Sequence, residues 1–248
     1  MVSIKSDREI ALMKKAGHYN YLVHEEIKKN IKPGISTEQL DKIAVDFCNK
    51  NNVKLSCLGY EGYPKSICIS INDEVVHGIP GKRKIKNGDI VSVDLCVEYE
   101  GYQSDAARTY IVGDVSDDIK DLVKYTEEAL YVGLKEVKAG ARTGDIGNAI
   151  ENFAHSHNLS VVEELCGHGL GTDIHEEPDV PNFGEKGTGY RLKSGMTIAV
   201  EPMLNLGKRN VELLDDEWTI VTQDKSYSAH FEHTVLVTDD GYEILTGE

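Results

Sequence analysis

The sequence predicts an α+β fold whose two halves repeat one another. Three observations carry this reading. Capped amphipathic segments open the chain, a strand-rich stretch runs from Ile67 to Val112, and three motifs occur twice in the same order. Lys32-Pro33-Gly34-Ile35-Ser36-Thr37, running on to Phe47, matches Lys138-Ala139-Gly140-Ala141-Arg142-Thr143, running on to Phe153. His77-Gly78-Ile79-Pro80 matches His175-Glu176-Glu177-Pro178, and Lys86 through Asp94 matches Lys193 through Glu201. The pattern implies pseudo-twofold halves at about 1–115 and 116–248, with Asp94 and Glu201 meeting at their junction. No Pro- or Ser-rich linker separates them, so residues 1–248 are expected to form one domain.

Each element has its own local reason. Ser6-Asp7-Arg8-Glu9 is a capping box, followed near helical spacing by Ile10, Met13, Ala16, Leu22, Val23 and Ile27. Lys32-Pro33-Gly34 stops that helix. Ser36 caps a second helix, with Leu40, Ile43, Ala44 and Phe47 as its expected inner face. Further helices are predicted at about 117–138 and 144–156, and strands and loops beyond about 160.

Composition narrows the function. With 40% hydrophobic and 28% charged residues, the chain has the balance of a globular protein. No window approaches the length of apolar sequence that a membrane-spanning helix needs, so no membrane partner is expected. The net charge of −15 argues against a general affinity for nucleic-acid phosphate or anionic lipid. The basic cluster Lys82-Arg83-Lys84-Ile85-Lys86 lies between glycines and reads as a solvated loop. Met1 to Asp7 has no apolar core of the kind an export signal carries. Five cysteines without C-x-x-C spacing are expected to be reduced thiols in a cytoplasmic protein, where the sequon Asn158-Leu159-Ser160 has no meaning.

The chemistry is concentrated in acids that interrupt apolar strands. Asp94 lies within Val91-Ser92-Val93-Asp94-Leu95-Cys96-Val97, and burying a carboxylate is costly unless it is paired or metal-bound. Glu100-Gly101 reads as a two-residue hairpin turn. Pairing Tyr99 with Tyr102 sets Asp94 opposite Ala107 and Asp105 opposite Cys96, so both aspartates project from one face as diagonal neighbours. Taken alone, the pair fits solvated strand-end charges equally well. The second half adds Glu201 in Ile198-Ala199-Val200-Glu201-Pro202, Glu232 in Phe231-Glu232-His233-Thr234-Val235, and His168 among the glycines of Cys166-Gly167-His168-Gly169-Leu170-Gly171. Four such carboxylates would repel one another without a cation. One imidazole with four carboxylates suits divalent Mn, Fe or Co better than a thiolate-rich zinc site.

Asp94, Asp105, His168, Glu201 and Glu232 stand in the order and spacing of the five metal ligands of the methionine aminopeptidases, which the sequence resembles over essentially its whole length. The resemblance includes Cys57-Leu58-Gly59-Tyr60, Gly62-Tyr63-Pro64-Lys65-Ser66, Asn72 through Pro80, and His175-Glu176-Glu177-Pro178. It implies the pita-bread fold, a curved antiparallel sheet with outer helices and internal pseudo-twofold symmetry. It also implies two divalent ions per chain, drawn from Co, Mn, Fe, Ni and Zn, that generate a nucleophile near neutral pH. Asp105 and Glu232 would bridge the metals, Asp94 would chelate one, and His168 and Glu201 would hold the other. His175 would polarise the scissile carbonyl, His77 would contact the substrate backbone, and Glu201 would relay a proton. Cys57, Tyr60, Tyr63, Cys68 and Trp218 match the family's methionine pocket, whose soft sulfur and aromatic surfaces suit a thioether. Glu61 and Ile174 depart from the family pattern, which has a histidine and a phenylalanine there.

The implied activity is co-translational removal of the initiator methionine before a small second residue, with the N-termini of nascent proteins and peptides as partners. It is compatible with ribosome association, and a monomer is expected. Proline-directed exopeptidases share the fold and form an alternative, but they usually carry a large N-terminal domain, whereas helix signals here begin at once. Glu201 and Glu232 are 31 positions apart, which leaves little room for the helical insertion of the longer methionine aminopeptidases. With no N-terminal zinc-binding extension either, the short bacterial type is the expected one. A further alternative, a non-catalytic binding module, would be expected to have lost ligands.

Overall fold

The computed structural model describes residues 2–248. Helices α1 (Asp7–Asn30), α2 (Thr37–Asn51), α3 (Asp117–Leu134) and α4 (Thr143–Ser156) lie where the sequence predicts helices. The Ser6 hydroxyl accepts from the Glu9 N–H while Glu9 Oε2 accepts from the Ser6 N–H at 2.7 Å, closing the predicted capping box. Ser36 and Gln39 do the same for α2. The buried face of α2 is Leu40, Asp41, Ala44 and Cys48, rotated from the predicted one, and Ile43 and Phe47 are half-buried. Asp41 causes the rotation: its Oδ1 accepts the N–H groups of Ser66 and Ile67 at 2.9 and 3.2 Å. α3 ends at Leu134, short of the predicted 138, because the Glu136 and Val137 N–H groups turn back onto the carbonyls of Gly133 and Leu134.

In the first half, strands Asp89–Tyr99 and Tyr102–Val112 form an antiparallel hairpin. Lys54–Leu55 and Cys68–Ile71 pair along the other edge of the first of these strands. In the second half, Tyr242–Ile244, His233–Val237, Thr197–Val200, Cys166–Gly169 and Glu176–Pro181 form a five-stranded antiparallel sheet, in that order. α1 and α2 cover the first sheet through Val23, Ile27, Leu40, Ile69, Val91 and Val93. α3 and α4 cover the second through Leu122, Leu130, Ile146, Ile150, Ile198 and Val235. Each of these buried side chains contributes roughly 1.5–3 kcal/mol. Among the described residues, no helix is long and apolar enough to cross a membrane.

The paired motifs make the same hydrogen bonds in each half. Gly34 N–H donates to Ile85 O and Gly140 N–H to Leu192 O; Ile85 N–H donates to Ile35 O and Leu192 N–H to Ala141 O. Ser36 bridges Lys84 as Arg142 bridges Arg191. The halves are joined where Glu232 N–H donates to Ala107 O at 2.9 Å. On either side, the Thr234 hydroxyl accepts from Asp105 N–H and donates to Asp105 O, and the Thr109 hydroxyl accepts from His230 N–H and donates to His230 O.

α1 also presents buried polar groups to the hairpin. Asn20 Nδ2 donates to Leu95 O at 2.7 Å, and His24, fully buried, places Nε2 3.0 Å from Ala106 O and Nδ1 3.1 Å from the Tyr110 hydroxyl. Burial, and then the Arg108 charge, holds His24 well below the histidine value of 6.5. A depressed folded-state pKa means that the unfolded chain binds the extra proton first, so stability is lost as pH falls through 6.5. In metal-free protein, this group alone should lower the unfolding free energy by about 2 kcal/mol between pH 7 and pH 5. Urea unfolding of His24→Gln at both pH values should show that much less pH dependence; identical pH dependence in the two proteins would count against the assignment.

Candidate metal centre and side-chain pocket

The hairpin has the predicted register. Tyr99 pairs with Tyr102, Asp94 with Ala107 and Cys96 with Asp105, across a turn in which Glu100 and Gly101 both have positive φ, 49° and 85°. Asp94 and Asp105 therefore share a face, and both line the same cavity. Glu201 follows the strand Thr197–Val200, and Glu232 directly precedes His233, which pairs with Val200. His168 lies on Cys166–Gly169, 7% exposed. Its flanking glycines are required by the packing: a Cβ on Gly167 would lie 2.3 Å from Ala199 O, and one on Gly169 2.2 Å from Glu177 O.

All five predicted ligands converge. Asp105, His168 and Glu232 each offer a ligand atom within 4.8 Å of the others. Glu201 Oε1 lies 3.5 Å from His168 Nε2, and Asp94 stands beside Asp105 as its diagonal neighbour on the hairpin face. His168 Nδ1 donates to Gly169 O at 2.9 Å, which leaves the lone pair of Nε2 facing the acids. Asp105 and Glu232 each keep a buried oxygen with no hydrogen-bond partner in the protein.

Electrostatics in this space oppose ionisation. Burial pushes Asp105 up to about 7 and Glu201 up to about 8. Burial first and then the Asp105 charge raise Asp94 and Glu232 well above the carboxylate range. Burial, followed by the neighbouring His175, pulls His168 down to about 3. Acids whose ionisation burial opposes, around a neutral imidazole and with unpartnered oxygens among them, fit a site for divalent cations, whose charge reverses each of these penalties.

A cavity of about 120 Å³ opens directly onto Asp94 and Asp105. Cys57, Cys68, Tyr63 and Trp218 line it as predicted, with Tyr60, His77 and His175 at its rim. The Tyr63 hydroxyl donates to Gly78 O at 2.9 Å, and its ring meets Trp218 edge-on at 5.0 Å. Tyr60 also holds a histidine, with its hydroxyl 2.7 Å from His175 Nδ1. The His175 ring packs edge-on against His168 at 4.1 Å. His77 has a positive φ of 59°, a strained conformation for histidine, and faces Trp218 edge-on at 6.4 Å. Ile174 lines the cavity and Glu61 stands at its mouth, so both departures from the family pattern border the pocket.

Two site residues escaped the sequence analysis. Cys96 lines the cavity beside Cys57 and Cys68; its position two residues after Asp94, on the same strand face, was the available signal. His230 is 1% exposed and places Nε2 3.6 Å from Glu201 Oε2, with neither ring nitrogen hydrogen-bonded within the protein. Only its place two residues before Glu232 hinted at this.

Residues 11–239 match metallopeptidase family M24. Methionine aminopeptidase 1 of Bacillus subtilis is 50% identical over 246 residues, covering 99% of each chain. The solved methionine aminopeptidases of Rickettsia prowazekii and Thermotoga maritima superpose over 100% of both chains with TM-score 0.98, at 43% and 44% identity. A Xaa-Pro dipeptidase from Bacillus anthracis reaches TM-score 0.78 at 25% identity, over 99% of this chain but 62% of its own. The chain belongs to metallopeptidase family M24, with the pita-bread fold, and within that family to the methionine aminopeptidases. It is a metallo-aminopeptidase, and the proline-directed alternative is not favoured.

Because the Thr234 hydroxyl both accepts from and donates to the Asp105 main chain, Thr234→Val should weaken divalent-metal binding by about tenfold. Asp105→Asn should weaken it further. Calorimetric titration with Mn of the metal-free proteins measures both, and unchanged affinity in Asp105→Asn would remove Asp105 from the ligand set.

Proposed function

We propose that this protein removes the initiator methionine from proteins and peptides whose second residue is small, in the cytoplasm, with two divalent ions held by Asp94, Asp105, His168, Glu201 and Glu232. The observation that carries the reading is the small thiol- and aromatic-lined cavity that opens onto converging acids. An unbranched thioether fits the cavity, and a free α-amine fits the acids beside it. The family makes Co, Mn, Fe, Ni and Zn candidates for the metals, which when bound polarise the scissile carbonyl and lower the pKa of the attacking water.

The protein's own groups do the rest. Asp94, at the boundary between cavity and acids, sets the chain end of the substrate and so favours an exopeptidase. With the Tyr60 hydroxyl donating to His175 Nδ1, the His175 proton sits on Nε2 and can donate to the oxygen that becomes negative as water attacks. Glu201 takes a proton from that water and passes it to the leaving amine. His77 contacts the substrate backbone at the rim. The five free cysteines support the cytoplasmic assignment.

Metal-free enzyme should release no methionine from Met-Ala-Ser and should do so on addition of Mn or Co, while Pro-Ala-Ser stays intact. Met-Lys-Ser should be cleaved at least about 100-fold less efficiently than Met-Ala-Ser. Comparable turnover of the two methionine peptides would overturn the small-residue preference. His175→Ala should keep its metals and lose about 10²- to 10³-fold in kcat; a loss of metal binding in that variant would instead make His175 part of the metal site.

A further inference from the structure

His175 ends a loop that runs from Gly171 and joins the strands Cys166–Gly169 and Glu176–Pro181. The loop is organised around Glu176, whose Oε1 accepts the N–H groups of Thr172 and Asp173 at 3.0 and 3.3 Å. The other oxygen of that carboxylate accepts from Lys5 Nζ at 2.9 Å and from the Ser3 hydroxyl at 3.2 Å. Lys5 Nζ also donates to the Ser3 hydroxyl. The pair is enclosed, with side-chain exposures of 5% for Lys5 and 18% for Glu176. Gly171 makes room for it: a Cβ there would lie 2.6 Å from both Cε and Nζ of Lys5. The segment before α1 is itself fixed, since Lys5 N–H donates to Gly195 O at 2.8 Å and Ser6 caps the helix. The pair borders a cleft of about 400 Å³ that Ser3, Glu9, Tyr102 and His175 also line.

We propose that Lys5 is a positioning residue for His175: its ammonium group fixes the Glu176 carboxylate, and through it the loop that aims the imidazole at the metal centre. An enclosed charge pair is weak evidence for stability, but removing either partner leaves the other charge buried and unpaired, which ties the position of the loop to Lys5. Lys5 does not line the thiol- and aromatic-lined cavity, and in this arrangement it acts by restricting where His175 can stand. The inference rests on the role given to His175 in the proposed function.

The test is a double-mutant cycle on kcat, with metal affinity and KM for Met-Ala-Ser measured alongside. Lys5→Met should lower kcat by about 10- to 100-fold, the scale of a small misplacement of a reacting group, with metal affinity and KM held. Lys5→Arg should recover part of the loss. In the His175→Ala background, Lys5→Met should change kcat by less than about twofold, since residues acting as one unit are non-additive. Glu176→Gln, which keeps the Thr172 and Asp173 contacts, should reproduce the loss if Lys5→Met folds poorly. Additive losses in the cycle, or unchanged kcat in both Lys5→Met and Glu176→Gln, would overturn the proposal while leaving the role of His175 standing. A His175→Ala enzyme with full turnover would sink both.

Discussion

The acids of this protein converge because two half-sheets are held in register where Glu232 N–H meets Ala107 O. The contact is short in sequence and bracketed by hydroxyl groups, Thr234 on Asp105 and Thr109 on His230. It brings the carboxylates of the first hairpin, Asp94 and Asp105, against Glu232 of the second half. Glu201 follows because Val200 pairs with His233, the next residue along. A strand shifted by one residue turns each of its side chains to the opposite face. A one-residue slip at this seam would thus send Asp105 or Glu232 into an apolar core. The hydroxyl brackets oppose that slip, since each would lose both of its main-chain bonds.

Burial makes the convergence costly in the absence of cations. Within one desolvated space, the acids raise one another's pKa values, and His168 is forced to remain neutral. Such a cluster destabilises the fold unless something binds it. A divalent cation reverses the sign of every one of these interactions, as would, more weakly, the ammonium group of a chain end. The preference for an amine-bearing substrate and the requirement for metal therefore share one physical cause. The adjoining cavity adds shape and polarisability, and its small volume restricts it to a single side chain.

Features set by local rules were legible in the sequence. The hairpin register followed from a two-residue turn and the two-residue period of strands, and it placed Asp94 and Asp105 on one face before any tertiary contact was known. The helix starts followed from capping residues, and the repeat followed from motif order. What could not be read depended on contacts between distant segments. Asp41 rotates α2 because of a loop some 25 positions away. His230 points at Glu201 because it pairs with Met203 on a neighbouring strand, and Lys5 meets Glu176 across 171 positions. Family resemblance, not spacing, supplied Trp218 and the roles of the two rim histidines; the repeat had paired His77 with His175 without saying what either does.

The way side chains are mounted also bears on their roles. The proposed ligands stand on strands or directly at strand ends, where the ladder fixes the backbone. His77 and His175 stand directly at strand ends too, after Glu74–Val76 and before Glu176–Pro181, and a group that stabilises a transition state must be held as closely as a ligand. Each histidine accordingly has its own brace. At His77 the backbone is forced into a positive φ, with Gly78 N–H donating to Ser70 Oγ and Ile69 N–H donating to Gly78 O. At His175 the brace comes from the first residues of the chain, through Lys5, Ser3 and Glu176. The two motifs occupy equivalent places in the repeat, but one is secured by hydrogen bonds to Gly78 and the other by an enclosed charge pair. The repeat thus conserves where each histidine stands, and the two halves solve the problem of holding it by different physics.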